Sequence, residues 1–192
     1  SCVPTKALLK AVETLESVQS ANQFGVRASA INFNYKSVQD WKNRAIHATG
    51  VHDESKVFKS ENITVIKGLA HFITPWTVSV GLRHYSARSF LIATGSRPYI
   101  PKITGLEEAG YITYKEAGSL AKLPKSIFMI GGGATAYEYA QIFSTFGVRV
   151  HIAENSAHLF NKEDPEVGDS AAAALEAKGV RVHVATKVVH IS

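Results

Sequence analysis

Residues 127–136 read IFMIGGGATA, and this stretch decides the fold. The four apolar residues Ile127–Ile130 are typical of a buried parallel strand, and three glycines follow them directly. A helical pattern then runs from Ala134 to about Phe146. A strand, a glycine turn and a helix, in that order, are the first unit of a doubly wound dinucleotide-binding fold.

The same alternation continues towards the end of the sequence. A second strand is predicted over Val148–Ala153. A second helix is predicted over Pro165–Lys178, with Asp164 at its N-cap and Gly179 after its last turn. Val180–Val184 then follows as a third strand. The order β-α-β-α-β is half of a doubly wound dinucleotide fold.

The N-terminal half has a different pattern. Two amphipathic helical stretches come first, and short β-branched or aromatic runs follow, separated by glycine and proline. The runs predict an antiparallel meander with strands at Ile63–Ile66, His71–Thr74, Thr77–Val80 and Phe90–Ala93. A linker rich in proline and glycine begins at Pro98. The fold class is therefore α/β, and we place two domains at residues 1–98 and 99–192.

Composition and charge exclude several classes of protein. The chain has 45% apolar and 19% charged residues, as globular proteins do. No apolar run approaches the ~18 residues that a membrane span needs. The net charge is +5, but lysine and arginine are scattered, so we predict no nucleic-acid partner. The eight histidines show no metal-ligand spacing and Cys2 is the only cysteine, so we predict neither a metal site nor an internal disulfide.

The glycine turn predicts a nucleotide site. Gly131 permits a tight turn, Gly133 lets the backbone approach a pyrophosphate, and the small Ala136 lets helix and strand pack closely. The helix N-terminus behind the turn favours an anion. Glu154 ends the second strand, 21 residues after Gly133, where a carboxylate accepts hydrogen bonds from the adenosine ribose. Its charge repels a 2′-phosphate and favours NAD over NADP, whereas alanine at position 136 is frequent in NADP enzymes.

Cys2 lies where a thiol can be reactive. It precedes a predicted helix N-terminus and stands four residues before Lys6, and both features stabilise a thiolate. A single cysteine is also a common small buried side chain, so its identity alone does not decide between the two interpretations.

The run Cys2-Val3-Pro4-Thr5-Lys6 resembles the second half of the redox motif of class I pyridine nucleotide–disulfide oxidoreductases. This family includes glutathione reductase, dihydrolipoamide dehydrogenase and mercuric reductase. The resemblance continues, in the family's order, through GLA at 68–70, ATGSRP at 93–98 and GGG at 131–133. It covers essentially the whole chain. The segment His52–Ser55 is similar to mercuric-reductase-like members.

The resemblance implies a role for each matched residue. Cys2 would be the flavin-proximal sulfur, and Lys6 would lie near the flavin N5 edge and pair with Glu138. These three residues form the implied catalytic set. The residues implied to bind FAD are Lys6, Ala70, Ala93, Thr94, Gly95 and Ser96. The residues implied to bind NAD are Gly131, Gly132, Gly133, Ala134, Thr135, Ala136, Tyr137, Glu138, Glu154 and Val188.

The resemblance also implies that the chain is an internal part of a longer protein, with the family's first cysteine and first glycine-rich loop upstream. It implies an incomplete FAD-binding domain followed by a Rossmann-type NAD-binding domain. We expect a FAD-dependent oxidoreductase that passes electrons between NAD(H), flavin and a cysteine pair. Its substrate would be a small-molecule or protein disulfide or dithiol, or a soft metal ion.

We expect that oxidoreductase to be a cytoplasmic homodimer without a membrane partner. Two alternatives stay open. One is a monothiol or thiol-independent flavoprotein, such as an NADH oxidase, a quinone reductase or a transhydrogenase. The other is a non-catalytic NAD-binding module.

Overall fold

The computed structural model describes residues 2–49, 58 and 61–192. His52–Ser55, the segment that is similar to mercuric-reductase-like members, lies outside the described residues. The chain forms two compact units, one of Ser1–Ala48 with Ile100–Ser192 and the other of Thr49–Tyr99. The domain boundary after residue 98 stays a prediction.

Two helices begin the first unit, α1 (Cys2–Ser20) and α2 (Tyr35–Ala48), with a short 3-10 helix over Ala21–Phe24 between them. The apolar face of α1 is buried, with Leu8 1% and Val12 3% exposed. The indole Nε1 of Trp41 in α2 donates a hydrogen bond to the carbonyl of Ala7 at 3.2 Å, which links the two helices.

The second unit holds an antiparallel sheet of three strands, β1 (Ala70–Thr74), β2 (Thr77–Val80) and β3 (Arg83–Ser86), in the order β1-β2-β3. A meander is therefore present, but the strands predicted at Ile63–Ile66 and Phe90–Ala93 are wrong. A strand needs a hydrogen-bonded neighbour as well as a suitable composition, and no described strand pairs with either segment.

β3 is not predicted from the sequence because its residues, RHYS, are mostly polar. The turn that creates it is tight. Val80 pairs with Arg83, and Gly81 at the first turn position has a φ of +59°. Two-residue hairpin turns favour glycine at such positions. The turn residues, and not the composition of the strand, therefore indicate the hairpin.

Two short helices of the first unit, α3 (Leu106–Ala109) and α4 (Tyr114–Ala117), precede its parallel sheet. Strands and helices then alternate as β4 (Ser126–Ile130), α5 (Ala134–Thr145), β5 (Arg149–Ala153), α6 (Pro165–Ala177) and β6 (Arg181–His183). The strands are parallel, in the order β4-β5-β6. The mixed α/β class and the predicted β-α-β-α-β order are confirmed.

The core of the first unit lies on one face of the parallel sheet. Right-handed crossovers that all step in one direction place α5 and α6 on the same face. There Ile152 of β5 packs with Phe143 of α5 and Leu175 of α6, each at most 1% exposed. On the opposite face, as far as the described residues show, the side chains of β4 are exposed, so the prediction that Ile127–Ile130 is a buried strand is wrong: Phe128 is 54% exposed.

Candidate dinucleotide and redox site

The glycine turn joins β4 to α5, and its first residue needs a glycine backbone. Gly131 has a φ of +103°, a conformation that side chains of L-residues rarely adopt. Its N–H donates to the carbonyl of Ala153 at 2.8 Å, which continues the hydrogen bonding between β4 and β5 beyond the last strand residue. The turn is thereby fixed to the end of β5.

Both backbone polar groups of Gly132 are hydrogen-bonded. Its N–H donates to Oε2 of Glu154 at 2.7 Å, and its carbonyl accepts from the N–H of Phe160 at 3.0 Å. A Cβ at this position would lie 2.5 Å from Cδ2 of Leu159 and 3.0 Å from Cβ of Glu154. A side chain there would require Leu159 and Glu154 to shift, so packing favours the second glycine.

Gly133 faces open space, because among the described residues no heavy atom beyond its chain neighbours and the backbone of its own helix lies within 4 Å of the position that a Cβ would take. It is the N-cap of α5, and no side chain caps the helix. Ala134 and Thr135, the next two residues, are exposed. Accessible backbone N–H groups at the start of a twelve-residue helix are the chemistry that binds a diphosphate, so the residues present fit the expected dinucleotide.

Glu154 directly follows β5 and is only 9% exposed. Its Oε1 accepts from the N–H of Ser156 at 2.7 Å, while Oε2 accepts from Gly132. Burial raises the pKa of Glu154, but the hydrogen bonds from Ser156 and Gly132 outweigh burial and lower it. Glu154 is therefore a fixed carboxylate, and a carboxylate accepts several hydrogen bonds, so a ribose hydroxyl is a suitable further donor.

The segment around Val188 begins beside Glu154. The N–H of Thr186 donates to the backbone carbonyl of Glu154 at 2.8 Å, and Val188 is half-buried. On α5, Ala136, Tyr137 and Glu138 are also half-buried. The residues implied to bind NAD thus belong to the turn, the first turns of α5 and the segments that follow β5 and β6.

The three residues of the implied catalytic set lie on two helices that pack together. Cys2 is exposed and is the first residue of α1, whereas the sequence analysis placed it just before the helix. Lys6 follows one turn later and forms an ion pair with Glu138 of α5, with side chains 61% and 26% exposed. An ion pair this exposed adds little stability.

The residues implied to bind FAD, apart from Lys6, belong to the second unit. Ala70 is the first residue of β1, and Ala93, Thr94, Gly95 and Ser96 form an exposed segment outside the strands. Gly95 has a φ of +77°. The structure thus describes where these residues lie, and their role stays a prediction.

Two residues beside the glycine turn were not found from the sequence. Ser156 stands two positions after Glu154, and a side-chain oxygen that accepts an N–H two residues later is a turn feature that a sequence can reveal. Phe160 gives no such signal. Its backbone contacts Gly132 and has a φ of +51°. An aromatic residue type does not predict such a φ.

In the part of the chain that the structure describes, no helix has both the length and the apolar character that crossing a membrane requires. None of the histidine, cysteine, aspartate and glutamate side chains in that part gather in groups of three or more that could hold a metal ion.

The chain is similar to several known flavoproteins and reductases. Mercuric reductase from Lysinibacillus sphaericus is 32% identical over 94% of this chain and 33% of its own length. Dihydrolipoyl dehydrogenase from Bacillus subtilis is 30% identical over 97% of this chain and 42% of its own length. A structure described as a Cu(II) complex of the HOCl-induced flavoprotein disulfide reductase RclA from Escherichia coli has a TM-score of 0.75. It is 26% identical and matches all of this chain and 40% of that one.

The chain therefore spans about a third to two fifths of the length of these curated relatives. The profile of the pyridine nucleotide-disulphide oxidoreductase family matches residues 1–192. The similarity of sequence and of structure extends over nearly the whole chain. The chain belongs to the pyridine nucleotide-disulphide oxidoreductase family.

Proposed function

We propose that the chain is part of a FAD- and NAD-dependent oxidoreductase in which Cys2 and a second cysteine outside this chain form the redox-active pair. The observation that carries the proposal is the ion pair between Lys6 and Glu138. It connects the helix that begins at Cys2 to the helix that begins at the glycine turn. The thiol and the nucleotide loop therefore lie at the N-termini of two helices that contact each other.

Two features of α1 favour an anion near Cys2. The N-terminus of a helix carries partial positive charge, and Cys2 is the first residue of α1. Lys6 lies one helical turn later, where residues four positions apart are neighbours. When bound, FAD supplies the two-electron chemistry that links a nicotinamide hydride to reduction of a disulfide. The cysteine pair would take up two electrons and two protons as its disulfide opens. It would pass both to a disulfide substrate, or the two electrons alone to a soft metal ion, with the two protons released to solvent as its own disulfide forms again.

We also propose that NAD is preferred over NADP. The fixed, ionised carboxylate of Glu154 would accept hydrogen bonds from the adenosine ribose hydroxyls and repel a 2′-phosphate. The charge of Glu154 would act directly on the 2′-phosphate, the group that distinguishes the two cofactors. The small residue Ala136, which is frequent in NADP enzymes, has no such charge.

The assignment of an FAD domain to residues 1–98 and an NAD domain to residues 99–192 rests on the resemblance, as do a homodimeric assembly and a cytoplasmic location. The mercuric reductases and dihydrolipoyl dehydrogenases among the relatives support a dithiol, disulfide or soft metal ion as the substrate class. The direction of electron flow depends on relative redox potentials.

Replacing Cys2 tests the proposal in the full-length, FAD-loaded enzyme. Cys2→Ser is expected to abolish disulfide or metal-ion reduction and the absorption band that a thiolate gives against the flavin. NADH binding and NADH-dependent reduction of ferricyanide serve as the control, because neither needs the thiol. Disulfide reduction at the wild-type rate in Cys2→Ser would contradict the redox role and favour a thiol-independent flavoprotein.

A further inference from the structure

Phe160 lies in the loop between β5 and α6 and has a backbone that aromatic residues rarely adopt, with a φ of +51°. A bulky residue keeps this conformation only where its surroundings impose it. Here the N–H of Phe160 donates to the carbonyl of Gly132 at 3.0 Å, and its own carbonyl accepts from Glu163 at 2.8 Å. The ring packs against Tyr137 of α5, with the ring centroids 5.3 Å apart.

The contact from Phe160 completes the fixation of Gly132, whose N–H is already bonded to Glu154. In a trans peptide the C=O and the following N–H point in opposite directions. The bond that Phe160 makes to the carbonyl of Gly132 therefore sets the direction of the N–H of Gly133, which is the residue with open space around it.

The hydrogen bond from Phe160 to Gly132 is not needed to anchor the loop, because the neighbouring residue Leu159 already anchors it. Leu159 is 1% exposed and belongs to the hydrophobic core, where it closes the space beside Gly132. Phe160 is half-buried and adds a backbone hydrogen bond at the cost of a strained φ. A strained residue next to a binding loop is typical of a functional constraint.

We propose that Phe160 is a positioning residue for the diphosphate of the bound dinucleotide. Its left-handed backbone holds the carbonyl of Gly132 so that the N–H of Gly133 is aimed at the diphosphate before the ligand arrives. The inference rests on the proposed dinucleotide site and adds to it the element that orients the Gly132–Gly133 peptide.

Three substitutions separate the backbone of Phe160 from its ring. Phe160→Val and Phe160→Leu both remove the ring, but the β-branched valine disfavours a positive φ more strongly than leucine does. Phe160→Gly also removes the ring, adopts a positive φ without strain and keeps the N–H. If the backbone positions the peptide, valine disturbs it, while leucine and glycine do not.

The measurement is the Kd of the full-length, FAD-loaded protein for NADH, ADP-ribose and adenosine, with the thermal unfolding temperature of each variant recorded alongside. Phe160→Val is expected to weaken NADH and ADP-ribose by about tenfold, the size of one lost hydrogen bond to a charged group. Adenosine, which has no diphosphate, is expected to bind all variants alike. Phe160→Leu and Phe160→Gly are expected to bind as the wild type does, within about twofold.

The proposal is overturned if Phe160→Gly loses as much affinity as Phe160→Val, because the ring would then be the important part. Equal losses for adenosine and ADP-ribose would also overturn it, since the diphosphate would not be the group affected. A folded Phe160→Val that binds both ligands as the wild type does would overturn it as well. If Phe160→Val does not fold, a loss of affinity for ADP-ribose in Phe160→Gly still overturns it. A wild-type protein that binds neither NADH nor ADP-ribose would instead refute the proposed function.

Discussion

The carboxylate of Glu154 accepts one backbone N–H on each oxygen, from Gly132 and from Ser156, at 2.7 Å in both cases. One residue thereby joins the glycine turn to the loop after β5. Because Glu154 is 9% exposed, it also stands at the boundary between the core and the proposed ribose position. The hydrogen bonds of Glu154 hold the turn, and its charge is proposed to select the nucleotide. Replacing it with a neutral side chain of the same shape should therefore change both stability and nucleotide binding.

Glu154→Gln places an amide N–H₂ against a backbone N–H, because the two oxygens are both used as acceptors. We expect the free energy of unfolding to fall by about 1–3 kcal/mol, as when a buried donor loses its partner. We also expect NADH to bind about tenfold more weakly while NADPH is less affected, since the repulsion of the 2′-phosphate is lost. Fluorescence titration with both nucleotides measures the two Kd values.

Glu163→Gln is the matched control for that experiment. Glu163 carries the same charge in the same loop and is exposed. If both variants change the ratio of NADPH to NADH affinity equally, the general charge of the loop rather than the Glu154 carboxylate selects the nucleotide.

Among the elements, a buried junction joins α1, α2, α4 and α5. The hydroxyl of Tyr139 in α5 donates to the carbonyl of Tyr114 in α4 at 2.9 Å. Burial raises the pKa of Tyr139, and a hydrogen bond from Thr5 of α1 opposes this shift. The carbonyl of Gly118, just after α4, accepts from Nζ of Lys42 in α2 at 2.8 Å. Thr5 and Tyr139 adjoin Lys6 and Glu138 in sequence, so the junction holds the two helices that form the ion pair.

The hydroxyl of Tyr139 leaves no room for a side chain at position 118 unless one of the two residues shifts. A Cβ on Gly118 would lie 2.7 Å from the hydroxyl oxygen of Tyr139 but 3.8 Å from Cζ of the ring. We expect Gly118→Ala to lower the free energy of unfolding by about 1–3 kcal/mol through overpacking. Tyr139→Phe should cost about 1 kcal/mol for the lost hydrogen bond.

The double variant is expected to be more stable than the sum of the two single losses predicts, because Tyr139→Phe removes the atom with which alanine collides. Urea unfolding of the four proteins measures the coupling. Strict additivity would show that the 2.7 Å contact is not what excludes a side chain at position 118.

At the scale of the first unit, ion pairs join both ends of α1 to other elements. Lys6 near its start pairs with Glu138 of α5, and Glu16 near its end accepts from Lys178, which follows α6, and from Thr145 Oγ1 at 2.7 Å. Burial raises the pKa of Glu16, but the hydrogen bonds from Lys178 and Thr145 outweigh it and hold the pKa below its usual value near 4.5.

These contacts predict the acid response of the whole protein. Glu16 and Glu154 have lower pKa values folded than unfolded, so between those values the unfolded chain binds more protons. The stability they contribute is complete above about pH 4.5 and is lost as the pH falls through the folded values. Urea midpoints measured from about pH 7 down to about pH 3 should show this loss.

Glu16→Gln is expected to lower the midpoint near neutral pH and to make the decline on the acid side shallower. Glu13→Gln on the same helix is the control, because Glu13 pairs with the exposed Lys10 at the surface. An acid decline that is the same in Glu16→Gln as in the wild type would assign the acid sensitivity to other carboxylates.

The sequence determined the strand, turn and helix order from Ile127 to Val184 and the positions of the glycines. Local rules suffice for these features, because hydrophobic periodicity, glycine turns and helix ends depend on residues close together in the chain. Local patterns failed at Ile63–Ile66 and Phe90–Ala93, where composition favours strands but no neighbouring strand pairs with them in the described residues. The resemblance, rather than any local rule, related Lys6 to Glu138 across 132 positions of sequence.

Only the tertiary structure decided how the glycine turn is held. The bonds that fix Gly132 come from Glu154 and Phe160, which are 22 and 28 positions away, and the φ of Phe160 is imposed by its surroundings. The open face of the parallel sheet, with Phe128 exposed, likewise follows from where the crossover helices pack. Such features depend on contacts between residues that are far apart in the sequence. A pattern within one short stretch of sequence does not predict those contacts.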